Sequence, residues 1–197
     1  MSNNIKSRLI LIGMFVFFAI PIVVVTIMYQ YNWRPRSFSY GELIKPIIKI
    51  NVSNHFELPL KKERENIDRK LFDERWSFVY LTDKCGIVCE NRLHDLRQIH
   101  ASFQKDIPRI QRVLITSDKN INKIQEKYPD LIILNKPIES VVNLSSQFDT
   151  PLYKAINSNN VYIVDPMSNL MMLYTNKIKP TEIRKDIAKL LKSSWAG

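Results

Sequence analysis

The sequence predicts an α/β domain, a central mixed sheet flanked by helices, behind one N-terminal transmembrane helix. Three observations carry this. No residue between 9 and 28 is charged, and Leu, Ile, Phe and Val dominate there. From Trp76 onward, short apolar runs alternate with segments of helical spacing. The last two runs are joined by a link too short for a parallel crossover, so the sheet gains an antiparallel edge.

A run of about 20 apolar residues, at ~1.5 Å rise each, matches a hydrocarbon core of ~30 Å. Gly13 and Pro21 lie within it, and membrane helices tolerate both. A cleaved signal has a shorter apolar region and a small-residue cleavage site. Here the run ends in Met28-Tyr29-Gln30-Tyr31-Asn32-Trp33, aromatics suited to the membrane interface. An uncleaved anchor is therefore expected, with a tail at 1–8, the membrane helix at 9–31, a tether at 32–45 and the folded domain at 46–197. Lys6 and Arg8 precede the span and Arg34 and Arg36 follow it, so basic residues alone do not orient it. The short tail reads most simply as N-terminus inside and domain outside, in a compartment where disulfides persist.

The chain of 197 residues carries a formal net charge of +10, from 29 Lys and Arg against 19 acids. Bases and acids alternate, as in Lys61-Lys62-Glu63-Arg64-Glu65, and no basic stripe is interleaved with aromatics. That excludes a nucleic-acid partner. It suits a solvated surface that favours anionic lipid head groups or an acidic partner.

In chain order, 47–52 alternates as an edge strand or hairpin arm, and the charged stretch 61–75 reads as a surface loop or short helix. Trp76–Thr82 is a continuous apolar strand. Val88, Leu93, Leu96, Ile99 and Phe103 recur at helical spacing. A second strand follows at 112–116, a short polar helix at 120–128, a third strand at 131–134 and a helix at 139–148. Val161–Val164 turns through Asp165-Pro166-Met167-Ser168-Asn169 into the antiparallel strand 170–174. Pro180 opens the last helix, with Ile183, Ile187, Leu190 and Leu191 on one face. The order β-α-β-α-β-(α)-β-β-α is that of a thioredoxin-like domain.

Cys85 and Cys89, the only cysteines, fall between the first of these strands and the next helix. A helix N-terminus stabilises a thiolate and lowers its pKa. Two thiols at this spacing can close as a disulfide, offer two soft ligands that suit Cu(I), or stand as small core residues. Other soft or imidazole donors are poorly disposed. His94, beside Leu93, faces outward. His100 lies about three turns from Cys89. His55 sits in the N-terminal extension. Met167, Met171 and Met172 read as packing residues, the last two on opposite sheet faces.

The Cys-x-x-x-Cys spacing differs from the Cys-x-x-Cys of thioredoxin-type oxidoreductases. Together with the anchor, Gly41-Glu42-Leu43-Ile44-Lys45-Pro46 and Tyr162-Ile163-Val164-Asp165-Pro166-Met167-Ser168-Asn169-Leu170, it resembles the Sco/SenC family of membrane-anchored cytochrome c oxidase assembly proteins. The likeness runs from about Gly41 to Leu191. It extends to a divergent branch described as cytochrome-oxidase-associated membrane proteins, through Asn169-Leu170-Met171-Met172. The resemblance implies that Cys85 and Cys89 handle copper or exchange electrons, in a bacterial inner membrane with the domain on the periplasmic side. Its partners would be an oxidase subunit or another assembly factor, and the lipid bilayer. The family's third copper ligand is a His, whose position falls at about Asn157, and its Pro residues in and after the cysteine motif are missing, with Gly86, Ile87 and Val88 as the spacer. The cis-Pro position of thioredoxin-like oxidoreductases falls at Asn160-Val161, with Pro151 too far upstream. Three functions follow: oxidase assembly through the cysteine pair, thiol–disulfide exchange, or a non-catalytic scaffold with a structural disulfide.

Overall fold

A computed structural model describes residues 3–31, 39–52 and 71–194. The remaining tether residues 32–38, His55 and most of the charged stretch 61–75 lie outside them. The chain forms two units, Met1–Phe38 and Ser39–Gly197.

The first unit is helix α1, Asn3–Gln30, with Pro21 inside it. Its stretch Lys6–Gln30 is long and apolar enough to cross a membrane, and 0% of its most apolar window is buried in protein. A buried core helix would show the opposite, so α1 is a candidate span whose side chains need a hydrocarbon partner.

The second unit is built on six strands: β1 (Glu42–Lys49), β2 (Trp76–Thr82), β3 (Ile110–Thr116), β4 (Ile132–Asn135), β5 (Val161–Val164) and β6 (Asn169–Tyr174). They lie in the order β1-β6-β5-β2-β3-β4. β2, β3 and β4 are mutually parallel, while β5, β6 and β1 add antiparallel pairings. The helices are α2 (Ile87–Ala101), α3 (Asn122–Lys127), α4 (Ile138–Ser145) and α5 (Pro180–Ser193). This is the mixed, helix-flanked sheet of a thioredoxin-like domain.

Alternation along β2 divides the core. Trp76, Phe78 and Tyr80 join Leu93, Leu96 and Ile99 of α2 and Ile183, Ile187 and Leu191 of α5. Val79 and Leu81 face the other way, toward Val141 and Leu144 of α4 and toward Phe148. All seven residues of β2 are buried, and so are all seven of β3, which explains their unbroken apolar reading.

Three expectations need correction. β1 begins at Glu42, so residues 42–45, read as tether, are strand. Most of β1 is exposed, and an edge strand of that kind shows no clean alternation. Leu71 and Phe72, in the stretch read as a surface loop, are buried in the core. Met171 does not oppose Met172: the pairing of β5 with β6 skips from Met172 to Leu170, and both methionines pack against the α2–α5 side. The extra residue of that bulge resets the side-chain alternation.

Candidate functional site

β2 is flanked by β3 and β5, and its carboxyl end feeds the loop that carries Cys85. Gly86 is the N-cap of α2 and contributes no side-chain cap. The first-turn N–H groups of α2, Cys89 among them, therefore keep the unpaired positive end of the helix beside the sulfurs. Cys85 and Cys89 are joined as a disulfide, with their Cα atoms 5.1 Å apart. Cys89 is 3% exposed and packs with Tyr80 and Leu93, whereas Cys85 is part-exposed. Between them Ile87 and Val88 are 79% and 59% exposed, an apolar lip on the disulfide.

Side chains account for the backbone of the preceding loop. The Asp83 N–H donates to Asn157 Oδ1 at 3.0 Å, and its carbonyl accepts from Ser117 Oγ at 3.1 Å. The Lys84 carbonyl accepts the Thr82 hydroxyl at 2.8 Å. The Cys85 N–H donates to Asp118 Oδ2 at 2.9 Å. Asp118 is steadied in turn, its carbonyl accepting from Asn135 Nδ2 at 2.7 Å. The N–H groups of Asn120 and Cys85 hold the Asp118 carboxyl below its usual range, with the charge of Lys84 adding to them against burial. A loop with its main-chain groups from Asp83 to the Cys85 N–H matched this way holds Cys85 in place.

Asn157, the position expected to replace a copper-binding His, is thus a loop pin. Its amide oxygen meets Asp83 and lies 3.1 Å from the Thr82 hydroxyl. It adopts φ 59°, a left-handed conformation that Asn tolerates. Asn159, at φ 58°, accepts the Tyr80 hydroxyl at 2.9 Å. Arg92, one turn beyond Cys89 on the buried face of α2, donates to the carbonyls of Asn159 at 3.3 Å and Thr175 at 3.1 Å. Burial lowers the pKa of Arg92 and raises that of Tyr80. Asn160 stands immediately before β5, the cis-Pro position of the oxidoreductases, and the cis peptide bond described is Lys45–Pro46 in β1.

The described His and Met residues read as poorly disposed for a metal lie apart from the cysteine pair in this fold. His94 is exposed. His100 Nε2 lies 3.1 Å from the Ile110 carbonyl, and its Nδ1 is 3.8 Å from Asp130. Met167 is 67% exposed in the β5–β6 turn, and Met172 is core. Among the described residues no three His, Cys, Asp or Glu gather to hold an ion. Sequence reasoning missed Asp118, Arg92, Tyr80 and Asn159. Asp118 had a signal: it stands two residues past the end of β3, the strand parallel to β2, and the carboxyl ends of parallel neighbours open on one crevice.

A family model described as "Transmembrane-like, thioredoxin-like, C-terminal domain" matches residues 76–194. ScoI of Arabidopsis thaliana with copper bound superposes with a TM-score of 0.53 at 15% identity, covering 64% of this chain and 89% of that one. Apo Sco1 from Thermus thermophilus gives 0.53 at 15% identity over 81% and 99% of the two chains. Yeast Sco1 with copper bound gives 0.51 at 17% identity over 62% and 82%. At these identities the likeness is one of fold. The comparison with curated proteins gives no match.

Proposed function

The chain belongs to the transmembrane-like, thioredoxin-like C-terminal domain family, and from that premise we propose a membrane-tethered, Sco-like thiol–disulfide factor that assists assembly of a respiratory cytochrome c oxidase. One observation carries the reading: the Cys85–Cys89 disulfide closes at an uncapped helix N-terminus, with Cys85 part-exposed beside an apolar lip. α1 holds the domain at the bilayer, which in this reading is the bacterial inner membrane with the domain on the periplasmic side.

A dithiol reductant supplies two electrons and two protons, breaking the Sγ–Sγ bond and leaving two thiols. The Cys85 thiolate then attacks one sulfur of a client disulfide, forming a mixed disulfide and releasing a client thiolate. Cys89 attacks Cys85 Sγ, re-forms the internal bond and releases the second client thiolate. The two protons lost by Cys85 and Cys89 pass to the client thiolates. Part-exposed Cys85 makes the first attack and buried Cys89 resolves it. The client is an oxidase subunit or another assembly factor.

Copper, carried as cargo in the alternative reading, meets an incomplete donor set. Two thiolates suit Cu(I), but the third position holds Asn157, whose amide is committed to Asp83. No step through copper is derived.

Equilibrating the full chain in detergent with thiol–disulfide buffers measures the potential of the pair. The exchange reading expects a value above about −300 mV, and one far below it makes the disulfide a structural crosslink. Tight one-to-one Cu(I) binding by the reduced chain would restore metal delivery. Normal oxidase activity in a deletion strain would remove the assembly role.

A further inference from the structure

α5 has two unlike faces. Ile183, Asp186, Ile187 and Leu191 are buried. Arg184, Lys185, Lys189 and Lys192 are exposed, and exposed Lys177 and Lys179 extend the same charge toward the helix start. Within the helix the acids are Asp186, which is buried, and Glu182, which accepts the Lys179 N–H at 3.0 Å to close the first turn. Arg184 Nε donates to Ser102 Oγ at 2.9 Å, a neutral partner that leaves its charge in place. The outward face is cationic along its length.

The buried side of α5 fastens the beginning of the folded domain. Asp186 Oδ2 accepts the Tyr40 N–H at 2.6 Å, the Gly41 N–H at 3.1 Å and the Ser39 hydroxyl at 3.1 Å. A Cβ on Gly41 would stand 2.6 Å from the Tyr174 ring, so only glycine lets the chain pass this close. Ser39 follows Tyr31, at the end of the apolar helix, by eight peptide steps (39 − 31). Eight steps reach no further than about 28 Å in any conformation. The residues clamped to α5 are therefore confined by covalent length to the neighbourhood of the membrane surface.

We infer that the exposed face of α5 is a docking surface for the anionic head groups of the bilayer in which the chain is anchored. Charge complementarity selects the occupant: lysines and arginine near a membrane are attracted to anionic lipid over about a Debye length and released by salt. The clamp at Asp186 ties this helix to the first residues after the tether, so the tether's covalent length bounds its distance from the apolar helix. Docking would give the domain a preferred orientation instead of free tumbling on its tether. The inference rests on reading α1 as a membrane span.

The test uses the full chain in lipid nanodiscs at one copy per disc, of phosphatidylcholine alone or with a phosphatidylglycerol fraction. Brief lysine acylation read by mass spectrometry gives a reactivity for each residue. Lys185, Lys189 and Lys192 are expected to react at least threefold more slowly in the anionic discs, with the protection lost at high salt and indifferent to added inorganic phosphate. Lys105, Lys119 and Lys123, elsewhere on the domain, should change little. A K185Q/K189Q/K192Q variant, its fold checked by cysteine reactivity, should lose the lipid dependence of hydrogen exchange across α5. Equal reactivity in both discs, or uniform protection of every lysine, overturns the proposal. Protection that appears only in discs holding two copies assigns the face to a second chain and also overturns it. Failure of the chain to enter discs at all removes the membrane span instead.

Discussion

At its first turn α2 carries Cys89 and leaves Ile87 and Val88 exposed; toward its last it carries His100, sealed against β3. The polar groups at the two ends are used differently. At the first end Asp118 and Asn157 are spent on main-chain N–H groups, and Cys85 stays part-exposed beside them. At the far end the side chains hold one another. Arg112 is 1% exposed, its Nη2 lies 2.6 Å from Asp130 and its guanidinium sits 5.9 Å from the Tyr128 ring centroid. Burial pushes His100 below the usual imidazole range, against the opposing pull of the Ile110 carbonyl and Asp130. The far end also gathers titratable groups, and yet its Arg112 and Tyr128 are closed to solvent. Reachability, more than the density of ionisable residues, separates a candidate reactive centre from a structural lock.

The far end should fail hardest when one partner is removed. Asp130→Asn leaves the Arg112 guanidinium buried without its carboxylate and is expected to cost about 3 kcal/mol, at the low end for a buried pair because Asp130 is half exposed. Adding Arg112→Met should recover most of that. Denaturant unfolding of the two variants reads both numbers, and a single-variant loss below about 0.5 kcal/mol would dismiss the lock.

Next comes the disulfide. It closes a loop of only four intervals, so its effect on the unfolded chain is modest. Reduction is expected to cost about 2 kcal/mol, from the chain-entropy relation for a loop of about five residues. A loss as large as that of Asp130→Asn would erase the contrast between the ends, by making the cysteines the stronger structural element.

Asn157→Ala removes the acceptor of the Asp83 N–H and should cost about 1 kcal/mol. Amide hydrogen exchange at Asp83 and Lys84 should quicken while that at His100 stays unchanged. Quickening along all of α2 would mean the two ends are not independent.

The smallest expected effect is a pH dependence. The folded state binds a proton at His100 less readily than the unfolded chain does. Its contribution is therefore fully present above the unfolded value of about 6.5 and declines as pH falls below it. Stability measured from pH 7.5 down to 5.5 should fall, and His100→Gln should flatten the slope. A slope unchanged in the variant would show that the imidazole is not set by its burial.

Continuous apolar runs made β2 and β3 legible, and 3.6-residue spacing did the same for α2 and α5. The cysteine pair was legible because no other thiols compete for attention. What escaped depended on registers that a one-dimensional pattern does not carry. β1, expected as an edge strand at 47–52, begins at Glu42, the extra residue at Met171 shifts a face, and nothing in the pattern of α5 marks Asp186 as the buried partner of Tyr40 and Gly41. Arg112 opened the strand read at 112–116, and its partners Asp130 and Tyr128, which let so large a side chain be fully buried, lie outside that pattern. Asn157 was located by resemblance, but its task of pinning Asp83 needed the left-handed turn that aims its amide.

The Asp186 clamp also sets a schedule for biosynthesis. The Tyr40 amide waits for a carboxylate 146 positions later in the chain, and β1 has its strand partner in β6. During translation α1 precedes β1, and β1 has neither partner until β6 and α5 leave the ribosome. A nascent chain stalled before Asp186 would carry an exposed sheet edge and an unfastened start. The domain is closed by α5, so the start of the fold is fastened only after the strands it frames have been made.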